Sequence, residues 1–451
     1  MNGNDMGPAV GTGTSSRDGR HGGRIHVLVI GGGIGGLCLA QGLRKAGVSV
    51  AVYERDRAPD ARLQGYRLSI EPPGSAALHE CLPAELWQLL VALSGDQGEQ
   101  MGVFDQRLRE LMREDQKAAA HDPESGSHAV SRVTLRQVLL AGLEQAVHFD
   151  KEFTRYELDG GARVTAYFAD GTSATGDVLV GADGARSRVC RQLLPLARRV
   201  EVPAIGVGGK LPLTGQSGGW LPSRLSEGKN MVLPWRDFLF TAVFRRREEP
   251  ADLKTRIGGR LRSAGLDAEA LLNQAADNDY LMWAFVAHRR SFPRDVTSLE
   301  GKDLLDAVGQ RMSRWHPDLR ALVASSDPGT VQQFEFTAAA RVRPWSAGRV
   351  TLLGDAIHCM PPVGGMGGNA ALQDARRLCR ALAAADRAEG PLLTLIGAYQ
   401  DEMLARGFAT VRAVRLYTAL AISRSPIRAA ARGFFGLCGK LGPLRRAVFD
   451  G

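Results

Sequence analysis

The residues best placed to do chemistry are Gly31, Gly33 and Gly36, spaced as Gly-x-Gly-x-x-Gly. Glu54 follows downstream, and the pairs Asp183-Gly184 and Gly354-Asp355 each close an apolar run. Glycines at this spacing permit a tight turn, a close approach of bare backbone to a pyrophosphate, and close helix–strand packing. A carboxylate about 20 residues further on suits ribose hydroxyls as an acceptor. The set predicts a bound dinucleotide whose phosphates sit at a helix N-terminus, where free N–H groups and the helix dipole favour negative charge. Whether the dinucleotide is NAD or FAD is not decided by this string alone.

These residues need strands and helices to hold them. From Ile25, "IHVLVI" is a continuous apolar run, as expected of a strand buried on both faces of a parallel sheet. "GGGIGG" leads into the helix "LCLAQGLRKAG", closed by Gly47, and "VSVAVYERD" supplies the next strand, completing a βαβ unit. A partly helical stretch follows to about Val130, and "RVTLRQVLLAGLEQA" has helical spacing. "ARVTAYFADG" and "SATGDVLVGADG" read as strands joined by a turn at Asp170 and Gly171. Alternating strands such as "NMVLPW", "FLFTAVFRR" and "YLMWAFVAH" then mark an antiparallel sheet. After "GRVTLLGDA" the chain reads as mostly helical, with a helix from about Asn369.

The expected fold is therefore α/β: a Rossmann-like, mainly parallel nucleotide-binding domain, an antiparallel-sheet substrate domain and C-terminal helices. The expected borders are a disordered tail over 1–24, a discontinuous nucleotide-binding domain over 25–75, 130–199 and 336–400, a helical and loop insertion over 76–129, the substrate domain over 200–335, and helices over 401–451.

The 57 Lys and Arg outnumber 48 Asp and Glu to give a net charge of +9, in a chain of 451 residues that is 44% hydrophobic. That is a globular composition with room for two cores. The charge excess reads as an arginine-rich surface with no nucleic-acid partner, although anionic small molecules suit it. Six cysteines without a Cys-x-x-Cys pair indicate neither a metal site nor disulfides. The absence of both a signal-peptide core and an apolar run of about 18 residues points to the cytoplasm.

The motifs Gly31-x-Gly33-x-x-Gly36, Asp183-Gly184 and Gly354-Asp355, in this order, resemble those of the class A flavoprotein monooxygenases, shaped like para-hydroxybenzoate hydroxylase, over nearly the whole chain from Ile25. The resemblance implies FAD held by Gly31, Gly33, Ile34 and Gly36 at the pyrophosphate, with Glu54 and Arg55 at the adenosine end. Arg132, which begins an Arg-x-x-Leu helix, and Asp355 would lie along the pyrophosphate and ribityl chain, and Asp183 in a motif shared by FAD and nicotinamide nucleotide. Gly354, Pro362, Gly365, Gly367, Gly368 and Asn369 would form the loop and helix start against which the isoalloxazine lies. Many relatives have Gly-Gln-Gly-Met-Asn where this chain has Gly365-Met366-Gly367-Gly368-Asn369. The chain also ends before the thioredoxin-like third domain of larger members.

By the same resemblance, NADPH or NADH reduces the flavin, O2 forms a C4a-hydroperoxide, and its distal oxygen passes to the substrate. No protein nucleophile or metal is then needed, so catalytic residues are left open, with Arg67 and His288 as weak candidates and His358 as a support for the loop. Met231, Trp235, Phe240 and Trp283 are candidate substrate contacts on the antiparallel sheet, although apolar residues on such strands are commonly core. The expected product is a hydroxylated or epoxidised aromatic or polyene small molecule of specialised metabolism. The alternatives are an FAD-containing cyclase without redox chemistry, such as a [4+2] cyclase, and a protein that carries flavin structurally. Gly215-Gln216-Ser217-Gly218-Gly219 matches a hydrolase nucleophile pattern, but no helix follows it. The basic C-terminal segment reads as a helix packed on the domain in preference to a membrane contact, in a monomer or homodimer.

Overall fold

The computed structural model describes residues 25–59, 67–96, 98, 100–115, 126–160, 163–214, 219–274, 279–423 and 426–440. The 1–24 segment and residues 215–218 of the hydrolase-like string lie outside these. A five-stranded parallel sheet runs in the order Val350–Leu352, Val178–Gly181, His26–Ile30, Ser49–Tyr53, Val147–His148. Val27 to Ile30 are all buried, so both faces of that strand are covered. Helices Ile34–Lys45 and Met366–Asp386 and a three-stranded antiparallel sheet (Phe153–Asp159, Arg163–Phe168, Ser173–Gly176) share this core.

A second sheet has seven strands in the order Gln332–Ala339, Arg199–Pro212, Tyr280–His288, Phe238–Phe244, Gly228–Val232, Gln100–Phe104, Glu110–Asp115. Pairing register sorts its residues into two faces, because side chains alternate along each strand. Val232, Leu239, Leu281, Trp283, Phe285 and Val207 lie on one face and form a core with helices Gly301–Arg311 and Pro317–Ala324. Met231 pairs with Phe240, Phe240 with Ala284, and Ala284 with Gly208 on the opposite face. Met231, Phe238, Phe240, Met282 and Ala284 remain half-buried there, so this face is left partly open.

The α/β expectation with an antiparallel second sheet and C-terminal helices holds. Three local readings differ. Residues 100–115, read as part of a helical and loop insertion, supply two strands of the large sheet, and Gln100–Phe104 pairs parallel to Gly228–Val232. "SATGDVLVGADG" divides between two sheets at Asp177. The helix read over 132–146 stops at Leu140, since Ala141 turns extended and Gly142 has a φ of 76°. The C-terminal helix Pro426–Lys440 packs on Glu110–Asp115, burying Cys438 against Val103 and Met112. Arg428 donates to the carbonyls of Ala421 and Asp237, and Arg432 to the carbonyl of Leu233 and to Gln106. No described helix is long and apolar enough to cross a membrane.

Candidate functional site

Four parallel strands end side by side, and the three motifs continue from their C-terminal ends, where ligands bind in sheets of this kind. Gly31 has a φ of 111°, and a side chain on it would meet the Ala182 carbonyl at 2.4 Å. On Gly36 a Cβ would lie 2.1 Å from the Gly31 carbonyl oxygen. These two glycines serve the fold. Gly33 is different: a Cβ there meets nothing within 4 Å. It precedes helix Ile34–Lys45, whose first turn has no side-chain cap, so bare backbone donors face open space.

Glu54 is buried at the tip of its strand; its two carboxylate oxygens accept the Gly32 N–H at 2.6 Å and the Asp56 N–H at 2.9 Å. Arg55 beside it is exposed. Asp183 accepts from the N–H groups of Arg188 and Val189 at 2.7 and 3.3 Å through one oxygen, while the other is buried without a hydrogen bond. Burial raises its pKa against the pull of Ser187 and these backbone donors.

Gly354 adopts φ 60° and ψ −140°, sending Asp355 into the start of a short helix. Asp355 is exposed to solvent. Desolvation raises its pKa, opposed by His358, Arg132 and Arg199. Arg132, the first residue of its helix, thus acts on Asp355 by charge. Underneath, fully buried Asp374 accepts from the Gly354 N–H at 2.9 Å, meets His358 Nε2 at 2.6 Å and pairs with Arg406. Burial would lower the His358 pKa, but the charge and hydrogen bond of Asp374, with Asp355, raise it overall.

Helix Met366–Asp386 begins three residues before the expected Asn369, at the left-handed cap Gly365 (φ 66°), and has no side-chain cap. Gly367 and Gly368 therefore belong to its first turn, beside Asp355: a Cβ on Gly367 would lie 3.6 Å from Asp355 Oδ1. Pro362 is exposed on the preceding loop. The Asn369 side chain is engaged elsewhere, accepting from Glu71 N–H and donating to the carbonyls of Ser69 and Gly365. It ties the helix start to strand Arg67–Ile70 and to Glu71 just after it.

Val363 of this loop packs against the cluster of Ala204, Val286 and Phe336, which Phe238 and Phe334 of the large sheet also join. Met231 and Phe240 share that face. Trp283 does not: it is fully buried in the opposite core, its Nε1–H donating to Ser326 Oγ at 2.7 Å. Trp235 lies outside the strands, 58% exposed, with Arg432 4.7 Å from its ring centre. His288 Nδ1 accepts the Arg290 N–H and caps a turn. Arg67 is buried, and desolvation brings its pKa down to about 10 against the opposing influence of Tyr280, Glu71 and Asp96. Lys229, Glu71, Asp374, Arg199 and Arg406 escaped the sequence reading because their partners are distant in the chain. Only the alternation Lys229-x-Met231 places Lys229 on Met231's face.

Comparison with known proteins adds to this geometry. Residues 29–87 match the profile of an NAD(P)-binding Rossmann-like domain, and residues 312–414 that of an FAD binding domain. A solved chain from Photorhabdus luminescens subsp. laumondii TTO1, assigned as an FAD containing monooxygenase, superposes with a TM-score of 0.77 at 33% identity, over 88% of this chain and 98% of that one. The chain belongs to the class A FAD-dependent monooxygenases. This flavoprotein is also 29% identical over 408 residues to the FAD-dependent monooxygenase thnD of Trichoderma harzianum, covering 92% of it. It is 30% identical over 405 residues to the dual O-methyltransferase/FAD-dependent monooxygenase elcB of Phaeosphaeria nodorum, spanning 42% of that protein's length.

The cofactor of the family is FAD, and the residues present fit it. The open space above Gly33, the uncapped helix starts at Gly33 and Gly365, and the solvent-facing Asp355 form a cradle for a pyrophosphate, a ribityl chain and a ring edge.

Proposed function

We propose that this flavoprotein is an NAD(P)H-dependent monooxygenase that hydroxylates or epoxidises an aromatic or polyene small molecule, as a tailoring step of specialised metabolism. Bound FAD would supply the redox chemistry, reduced by NADPH or NADH and passing electrons to O2. This chain's own residues bind and position. Gly33 and Ile34 would carry the pyrophosphate on a turn that Gly31 and Gly36 make possible, Glu54 and Arg55 the adenosine end, and Asp355, with Arg132 nearby, the ribityl region. The uncapped start of helix Met366–Asp386 stabilises negative charge that develops at the ring edge.

The observation that carries this reading is that Val363, in the flavin loop, packs against the cluster of Ala204, Val286 and Phe336, which Phe238 and Phe334 also join. It brings the half-open apolar face of the large sheet against the place where the flavin ring would lie, with Met231 and Phe240 beside it. Met366, which replaces the glutamine of many relatives, packs in an apolar cluster with Met360 and Ala370 and lends no support to a flavin without redox function. In domain terms, segments 25–75, 130–199 and 336–400 would hold FAD, and 200–335 with the strands of 100–115 the substrate.

Anaerobic stopped-flow at the flavin's visible band, with NADPH or NADH and a panel of aromatic and polyene compounds, tests the proposal. Bleaching accelerated by one compound, followed on aeration by its oxygenation, is the expected result. A bound flavin that neither nucleotide reduces with any compound would replace it with the cyclase reading.

A further inference from the structure

Helices Ile34–Lys45 and Met366–Asp386, whose uncapped starts face the cofactor cradle, pack together against helix Pro72–Cys81. Each of the three carries a cysteine into the contact: Cys38, Cys379 and Cys81. Gly42 makes room for them. A Cβ on it would lie 2.8 Å from Cys379 Sγ and 3.1 Å from Cys81 Sγ, so these two sulfurs flank one small space. The Cys81 thiol is hydrogen-bonded to those of Cys379 and Cys38. All three cysteines are free and buried, Cys379 being the most exposed at 9%. One buried thiol is an ordinary small apolar residue. Three that meet from three helices are a potential redox centre, because neighbouring sulfurs can bond to each other.

Charge is arranged around the same point. Lys45 Nζ donates to the carbonyls of Glu80 and Leu82 at 2.9 and 2.7 Å, on either side of Cys81. Glu80 is held in turn by Arg376 and Arg380, which flank Cys379 on its helix. The hydrogen bonds of Cys379 and Cys38, aided by Lys45, lower the Cys81 pKa against burial and Glu80. The hydrogen bond to Cys81, together with burial, raises those of Cys38 and Cys379. Since the thiolate is the nucleophile, Cys81 is the attacking sulfur of the set.

We propose that Cys81 and Cys379 are a peroxide-oxidisable pair that closes to a disulfide, tying helix Met366–Asp386 to helix Pro72–Cys81. The oxidant is hydrogen peroxide, which an enzyme that reduces O2 makes whenever two electrons and two protons reach O2 and no oxygen atom reaches a substrate. The Cys81 sulfur attacks one peroxide oxygen, the O–O bond breaks, and the departing hydroxide takes up a proton and leaves as water. The Cys379 sulfur then attacks the Cys81 sulfenic acid, giving up its proton as the S–O bond breaks, and a second water leaves. Two thiols and one peroxide become one disulfide and two waters; each sulfur is oxidised by one electron, and the peroxide oxygens are reduced. The tie restrains the helix whose start faces the flavin edge, so peroxide made at the cofactor acts back on the helix that holds it.

The test treats FAD-loaded protein with a small excess of hydrogen peroxide, blocks remaining thiols with iodoacetamide under denaturing conditions, and reads intact mass and a proteolytic peptide map. Wild type is expected to lose about 2 Da before blocking, the mass of two hydrogens, and to yield a peptide pair joined through Cys81 and Cys379. Dithiothreitol should reverse both changes. Cys81→Ala and Cys379→Ala should each abolish the joined pair, whereas Cys38→Ala should leave it in place. Flavin content and melting temperature confirm that each variant folds, and the wild-type map decides the matter even where a variant does not. Six blocked thiols after peroxide, oxygen added to Cys81 or Cys379 without a cross-link, or a cross-link through Cys38 in place of Cys379 would each overturn the proposal.

Discussion

Gly33 and Gly36 differ in what a side chain would meet, and this separates a ligand glycine from a fold glycine. A Cβ at Gly36 strikes the Gly31 carbonyl oxygen at 2.1 Å, whereas one at Gly33 meets no protein atom within 4 Å. Gly36→Ala is expected to destabilise even the apoprotein by more than about 1 kcal/mol. Gly33→Val should leave apoprotein unfolding within about 0.5 kcal/mol of wild type and still weaken FAD retention. Thermal unfolding of flavin-stripped protein, with flavin content after gel filtration, checks both.

Also at the residue scale, His358 is held more basic than usual by Asp374 and Asp355 against the opposing effect of burial. A raised folded pKa means that the protonated imidazole contributes stability below the unfolded value, near 6.5, and loses it as pH rises through the folded value. The melting-temperature gap between wild type and His358→Asn should therefore be widest near about pH 6 and narrow at alkaline pH. A gap that widens with pH would show that the neutral imidazole is the stabilising form.

Among the elements, helix Met366–Asp386 is where sequence and structure diverge most usefully. Gly367 and Gly368 suggested a loop, but the cap at Gly365 starts the helix earlier, and the Asn369 side chain makes three hydrogen bonds, to Ser69 in strand Arg67–Ile70, to Glu71 just after it and to Gly365 of its own cap. Asn369→Ala removes all three and should cost about 1–3 kcal/mol, measured by urea denaturation. It should also loosen FAD without removing any direct contact, so added flavin restores part of the lost melting temperature.

Across the whole molecule, the two faces of the large sheet differ in closure, and under the proposed function only the half-open one binds. Trp283 fills the closed core, so Trp283→Ala should cost about 3–5 kcal/mol of stability, read in denaturant, with flavin reduction kinetics unchanged in the protein that remains folded. Phe240 lies on the half-open face, and Phe240→Ala should lose little stability while weakening the compound that accelerates flavin reduction. The reverse pattern would exchange the two faces. The C-terminal helix belongs to this scale as well: Arg428 and Arg432 reach backbone carbonyls of the large sheet's loops, which is how a basic segment comes to pack on protein.

The sequence by itself determined the nucleotide fold. "IHVLVI", the glycine spacing and the two Gly-Asp strand ends are local patterns, each enforced by backbone geometry over a few residues, so they could be read in order along the chain. They also put Glu54 and Asp355 just past the ends of parallel strands, where the structure has them. Apolar composition did not reveal which face of a strand looks inward: Trp283 and Phe240 look alike as residues, and only their pairing registers and the helices packed on one side separate them. The strands of residues 100–115 find their partner beyond residue 227, and Asp374 meets His358 across a turn and a loop. Such facts depend on distances between segments far apart in the chain, and those distances exist only once the sheets and helices have packed.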